Sequence, residues 1–187
     1  MTWSERRRYF LEAERRVLAG EPKTAVLAHL CAAGDDRREV ARTLARIVSP
    51  SRRRRYRWPQ RLFIALVVAA GVTSALSPLS AFAHGRWFAV GVGWSALFFG
   101  LPLVGVLGWR SAGYAGVCLG GILAFYQTVR PRLGDLSHLG LAGTLTLSLY
   151  AALLIASPVL WRRLFPDLGW ADGDPRRNAD GEYLLVD

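Results

Sequence analysis

His84, Asp135 and His138 are the residues of this sequence whose types fit a metal centre. Two imidazoles and a carboxylate form a donor set that holds Zn²⁺ or another divalent ion. Asp135 and His138 stand three residues apart, so on a helix leading into the last apolar stretch they share a face. His84 lies in a separate short connection, and Arg86, Arg130 and Arg132 add positive charge nearby. Such a centre would serve a transport component or a small membrane enzyme. The spacing is neither H-x-x-H nor H-E-x-x-H, so the three also read as ordinary polar residues at a membrane interface. No other cofactor is suggested by the sequence.

A second chemistry is electrostatic. Residues 51–61 carry Arg52, Arg53, Arg54, Arg55, Arg57 and Arg61, interleaved with Tyr56 and Trp58, directly before an apolar stretch. Each cation near an anionic bilayer surface contributes about 1 kcal/mol, so this polybasic linker, with Trp58 at headgroup level, is expected to bind anionic lipid headgroups. The same run fixes topology by the positive-inside rule, and that reading needs no specific lipid. The net charge of +10 is concentrated here: residues 1–61 carry +9, residues 62–160 carry +3 and residues 161–187 carry −2. Arginine supplies every cation except Lys23, which suits bidentate contacts to phosphate or carboxylate and is equally what a GC-rich genome encodes.

The run Gly93, Trp94, Ser95, Ala96 resembles the Gly-x-Ser-Gly motif of rhomboid intramembrane proteases. The resemblance implies Ser95 as nucleophile and His138 as its base. The chain departs from that family at the fourth motif position and in having four spans instead of at least six.

The elements that would position these groups are membrane helices. The chain of 187 residues is 52% hydrophobic with 19 glycines, which excludes disorder and an ordinary basic soluble domain. Two cysteines, Cys31 and Cys118, exclude a disulfide framework. Residues 62–83, 87–107, 112–129 and 139–160 are each apolar enough to cross roughly 30 Å of hydrocarbon at 1.5 Å rise per residue. The first two are joined so closely that they must form a tight antiparallel hairpin. The third is short and interrupted by Gly113, Gly116, Gly120 and Gly121. The polybasic run places the N-terminus in the cytoplasm, and four spans return the C-terminus to the same side, where Arg162 and Arg163 follow the last span. Trp58, Trp87, Trp109 and Trp161 fall at expected interfaces.

Gly116 and Gly120 have the small-xxx-small spacing that lets helices approach closely. Pro78, Pro102 and Pro158 each remove a helical hydrogen bond and leave a carbonyl, such as that of Phe98, to find another partner. No Asp, Glu, Lys or Arg lies deep inside a span, which argues against an ion-coupled transporter acting alone.

Residues 1–50 read as a basic helical module. Tyr9, Phe10, Ala13, Val17 and Leu18 line one face of a first helix ended by Gly20; Val26, Leu27 and Leu30 line a second after Pro22. Asp36 and Glu39 have capping-box spacing for a third, whose Val40, Leu44, Ile47 and Val48 recur until Ser49 and Pro50 end it. The helix, glycine turn, helix order of residues 22–48 resembles a helix-turn-helix, with Arg37, Arg38, Arg42 and Arg46 on the third helix. The module also resembles the short helical modules that precede the spans of some bacterial sensory and regulatory membrane proteins, which implies a protein partner. Residues 161–187 form an irregular tail in which Glu182 to Val186 could pair as a strand or dock as an apolar peptide, and its −2 invites a clasp onto the +9 module.

The sequence therefore predicts an all-α protein: a four-span transmembrane helical bundle of the inner membrane, with both termini cytoplasmic. Its expected role is that of an accessory, scaffolding or regulatory subunit. Anionic lipid and a protein partner or second copy are its expected contacts, and nucleic acid is not among them.

Overall fold

The computed structural model describes residues 3–32, 36–81, 93–129, 141–169, 174–178 and 181–187. The described chain is all-α: α1 (Trp3–Leu18), α2 (Lys23–Ala32), α3 (Arg37–Ala45), α4 (Pro50–Arg55), α5 (Arg57–Ala81), α6 (Gly93–Leu107), α7 (Ser111–Val129) and α8 (Leu141–Leu164). Two isolated antiparallel bridges in the tail, Leu168 with Pro175 and Arg177 with Tyr183, are the extended pairing among the described residues. The chain divides into two compact units, Met1–Arg57 with Arg162–Asp187, and Trp58–Trp161.

In the first unit, Ala13 and Val17 of α1, Val26, Leu27 and Leu30 of α2, and Val40, Ala41 and Leu44 of α3 form one buried cluster with Ile47. These are positions three or four apart, the spacing that lines one helical face. Leu18 departs from the expected face and is exposed, because it stands about 100° around the helix from Val17. α1 ends where Gly20 takes φ 98°, with Gly20 N–H donating to Val17 and Glu21 N–H to the Arg16 carbonyl. That pair of bonds satisfies carbonyls the helix end would orphan. Asp36 caps α3 by accepting from Arg38 N–H at 3.0 Å. α3 ends at Ala45, ahead of the stop expected at Ser49 and Pro50, and Pro50 instead opens α4, since its fixed φ suits a first helical position. The polybasic run is thus helical over most of its length.

Among the described residues three helices are long and apolar enough to span a membrane: Arg57–Ala75, Ser111–Val129 and Gly143–Leu164. The glycine-interrupted stretch is one of them. Of the stretch 87–107 the described part, Gly93–Leu107, is shorter than a span. The connection expected to make the first hairpin lies outside the described residues. α6 contains a π-helical turn, Ala96–Gly100, immediately before Pro102. The wider turn lets the chain absorb a proline that has no N–H for the Phe98 carbonyl. α6 and α7 are joined by Gly108, Trp109 and Arg110. Here Trp109 takes φ 56°, the left-handed position more often given to glycine, while its N–H donates to Val106 and Arg110 N–H to Gly105. Of the expected interfacial tryptophans, Trp58 is 70% exposed but Trp161 is turned inward at 6%.

Candidate functional site

The arginines of residues 51–61 divide by what their guanidinium groups meet. Arg52 donates to the carbonyl of Arg163 at 3.0 Å, satisfying one of the carbonyls orphaned at the end of α8. Arg53 donates to the Val48 carbonyl at 3.2 Å and pairs with Glu14 at 3.3 Å. Arg54, Arg55, Arg57 and Arg61 are exposed. Arg55 lies over the Tyr56 ring at 5.8 Å and Arg61 over the Trp58 ring at 5.5 Å. These two contacts hold a cation beside an amphipathic ring at the start of an apolar helix.

The tail closes the helical module through two carboxylates in three ion pairs. Lys23, the single lysine of the chain, is buried at the start of α2 with its Nζ 2.6 Å from Asp167 Oδ2. The two side chains are 2% and 0% exposed. Asp167 Oδ1 accepts from Val186 N–H at 3.1 Å, and Asp187 Oδ1 accepts from the Lys23 backbone N–H, also at 3.1 Å. The second carboxylate is less enclosed: Asp174 accepts from Arg38 at 2.6 Å in an exposed pair and from Arg42 in a part-buried one. Tyr183 and Leu185 pack on the module's core while Leu184 and Val186 face outward, the alternation of an extended segment. The tail therefore occupies part of the basic face of α3 that the helix-turn-helix resemblance would offer to phosphate.

The Arg38 hydrogen bond, followed by that of Arg42, holds the Asp174 carboxyl below its usual 3.8. A depressed carboxyl stabilises the fold above that usual value and loses its contribution as pH falls through the folded value. Amide protection of residues 174–178 should therefore be constant from neutral pH down to the usual carboxylate range and fall below it. Asp174→Asn should flatten that profile, and a protection loss centred near neutral pH would contradict it.

In the second unit the polar side chains engage backbone. Ser95 Oγ donates to the Gly71 carbonyl at 2.6 Å, so the hydroxyl singled out by the rhomboid-like motif bonds a neighbouring helix. Ser157 donates to the Tyr114 carbonyl at 2.6 Å, and Gln60 Nε2 to the Val106 carbonyl at 2.7 Å. Tyr114 Oη in turn donates to Gln60 Oε1, and its ring stacks on Phe63 at 5.5 Å. Removing that donor leaves a buried amide oxygen with one bond fewer. Tyr114→Phe should lower the free energy of unfolding in an SDS titration by about 1 kcal/mol. A change within error would show that the hydroxyl carries no weight.

The glycines of α7 lie against α6 and α8. A Cβ at Gly116 would sit 2.9 Å from the Pro102 ring, and one at Gly120 would sit 2.5 Å from the Phe98 carbonyl oxygen. The carbonyl left without a helical donor by Pro102 thus faces a bare Cα, a geometry that permits a Cα–H···O contact. At Gly113 the neighbours are all backbone, with the Gly105 carbonyl carbon at 2.5 Å and the Pro102 oxygen at 2.8 Å from an added Cβ. Gly121 faces Leu154 of α8.

His84, Asp135 and His138 lie outside the described residues, so the structure neither brings them together nor separates them. Among the described residues no three His, Cys, Asp or Glu side chains converge as a metal site would require. Sequence reading overlooked Gln60, Tyr114, Ser157 and Asp167. For Asp167 a signal existed, since one lysine in a chain otherwise cationic through arginine stands out. For Gln60 the signal was a lone amide in the first turns of an apolar helix. No protein-family model matches the chain, and no significant match is found among curated proteins or solved structures.

Proposed function

We propose that the chain is an integral inner-membrane accessory, scaffolding or regulatory protein that acts through protein and lipid contacts. It crosses the membrane four times, at about residues 62–83, 87–107, 112–129 and 139–160, with both termini and the basic module in the cytoplasm. The reading is carried by the exposed Arg54, Arg55, Arg57 and Arg61 at the head of a membrane-length apolar helix, beside the exposed Trp58. Four cations near an anionic surface contribute several kcal/mol together, at about 1 kcal/mol each. Further support comes from the second unit, where Ser95, Gln60, Tyr114 and Ser157 are engaged in holding helices together.

The deciding experiment is native co-purification in mild detergent from the source cells, with mass spectrometry and light scattering. A stoichiometric larger partner is expected. A discrete homo-oligomer free of other proteins would overturn the accessory role and direct attention to the competing reading, a transport component or small membrane enzyme built on His84, Asp135 and His138. Lipid is tested on the same preparation. The protein should retain anionic phospholipid through detergent washing, and replacing Arg54, Arg55, Arg57 and Arg61 by glutamine should remove most of it. Equal retention by both proteins would show that lipid attraction is not a property of this run.

A further inference from the structure

The tail is held to the module at a buried point and at an exposed one, and the two differ in how readily they release. At Asp167 the carboxylate is sealed against Lys23. Beyond it, the segment is tied to itself and to Asp167: Gly169 N–H donates to the Asp174 carbonyl, Leu184 N–H to that of Arg176 and Asn178 N–H to that of Glu182, while Arg176 N–H and Val186 N–H donate to the carbonyl and carboxylate of Asp167. Its polar links to the module include Asp174 to Arg38, which water reaches, Asp174 to Arg42, which is partly buried, and Asp187 to the first N–H of α2. Its apolar links are Tyr183 and Leu185 against the core cluster, which remain partly exposed. Arg42 Nε is buried and has no acceptor among the described residues, so Asp174 leaves part of that guanidinium unused.

The receiving surface therefore has a defined chemistry. It offers two guanidinium groups for a carboxylate, the Lys23 backbone N–H that Asp187 now occupies for a second, and a buried apolar cluster against which alternate side chains of an extended segment pack. Exposed ion pairs and short extended stretches without a full ladder release at low free energy, whereas a sealed pair does not.

We propose that this surface is a peptide-binding site whose resting occupant is the chain's own C-terminus, and that it takes an acidic, alternately apolar segment of a partner protein in exchange for residues 174–187. Asp167 stays in place during the exchange, so the module remains folded while its docking face opens. The inference rests on the accessory reading above and specifies how that partner is engaged.

The probe is a fluorescent peptide with the sequence of residues 174–187, added to the detergent-purified full chain and to a version ending at residue 173. The shortened protein should bind the peptide at least tenfold more tightly than the full chain, in which the tethered tail competes. Arg38→Glu with Arg42→Glu in the shortened protein should reverse that gain. Equal binding to full and shortened chains overturns the proposal, as does equal binding of a scrambled peptide of the same composition. If the shortened chain does not fold, full-length Tyr183→Ala with Leu185→Ala carries the measurement, and a failure of that protein to bind more tightly than wild type is decisive against exchange. A natural partner recovered equally by full and shortened chains would leave the accessory role standing and sink this inference alone.

Discussion

Asp167→Ala should make the N-terminal module protease-sensitive and lower its stability by about 3–5 kcal/mol, the usual consequence of removing one member of a buried ion pair. The magnitude follows from what remains. Lys23 would keep its ammonium at a position only 2% exposed, with its partner gone, and Val186 N–H would lose its acceptor as well. An isolated buried ammonium either drags water in or gives up its proton, and both are unfavourable. Lys23→Met combined with Asp167→Leu should recover much of the loss, because two apolar side chains of similar size leave no charge unpaired. Limited proteolysis of residues 1–57 in the detergent-purified full chain reads the effect. If Asp167→Ala is as resistant as the wild type, the pair does not hold the tail and module together. If the double variant is as damaged as the single one, packing rather than charge is responsible.

Gly113→Ala should be the most disruptive single methyl addition in the second unit, at about 3 kcal/mol. Its Cβ would fall among backbone atoms of Pro102, Gly105 and Val106, none of which can rotate away. α6 and α7 are held together by the three-residue connection 108–110, so relief requires one helix to shift bodily against the other. Gly116→Ala presses on the Pro102 ring and should be milder, and Gly121→Ala meets the Leu154 side chain, nearest at 3.3 Å, with Leu153 Cβ at 4.0 Å. Gly93→Ala meets nothing within 4 Å and should be neutral or slightly stabilising, since alanine is the better helix former. The ranking is read by SDS titration of the four variants, with helicity as the signal. Gly113→Ala unfolding at the wild-type SDS concentration would mean that these backbones do not approach as closely as described.

The first prediction concerns a pairing between distant parts of the chain, and such pairings were the least visible beforehand. The spacing of Ala13 and Val17, of Val26, Leu27 and Leu30, and of Val40 and Leu44 is a local property, and each of these residues is buried on the face its period indicates. Leu18 shows the limit, because a residue at the edge of an apolar face can fall on either side of it. Pro50 shows another: the proline expected to end α3 begins α4 instead, and α3 is already over at Ala45. For the polybasic run, composition indicated positive charge beside a helix of membrane-spanning length. It could not separate Arg52 and Arg53, which bind a carbonyl or a carboxylate of the same unit, from the exposed Arg54, Arg55, Arg57 and Arg61.

The all-α class and the presence of membrane-length apolar helices were determined by sequence alone, since both depend on helical periodicity and summed hydrophobicity within short windows. Tertiary structure alone decided which polar groups meet. Lys23 could have paired with any of 14 acids and is sealed to Asp167, 144 residues away. Gln60 meets Tyr114 at a separation of 54, and the carbonyl orphaned by Pro102 faces Gly120. Such choices depend on which helix faces come into contact, and a contact between faces has no signature in the spacing of either helix.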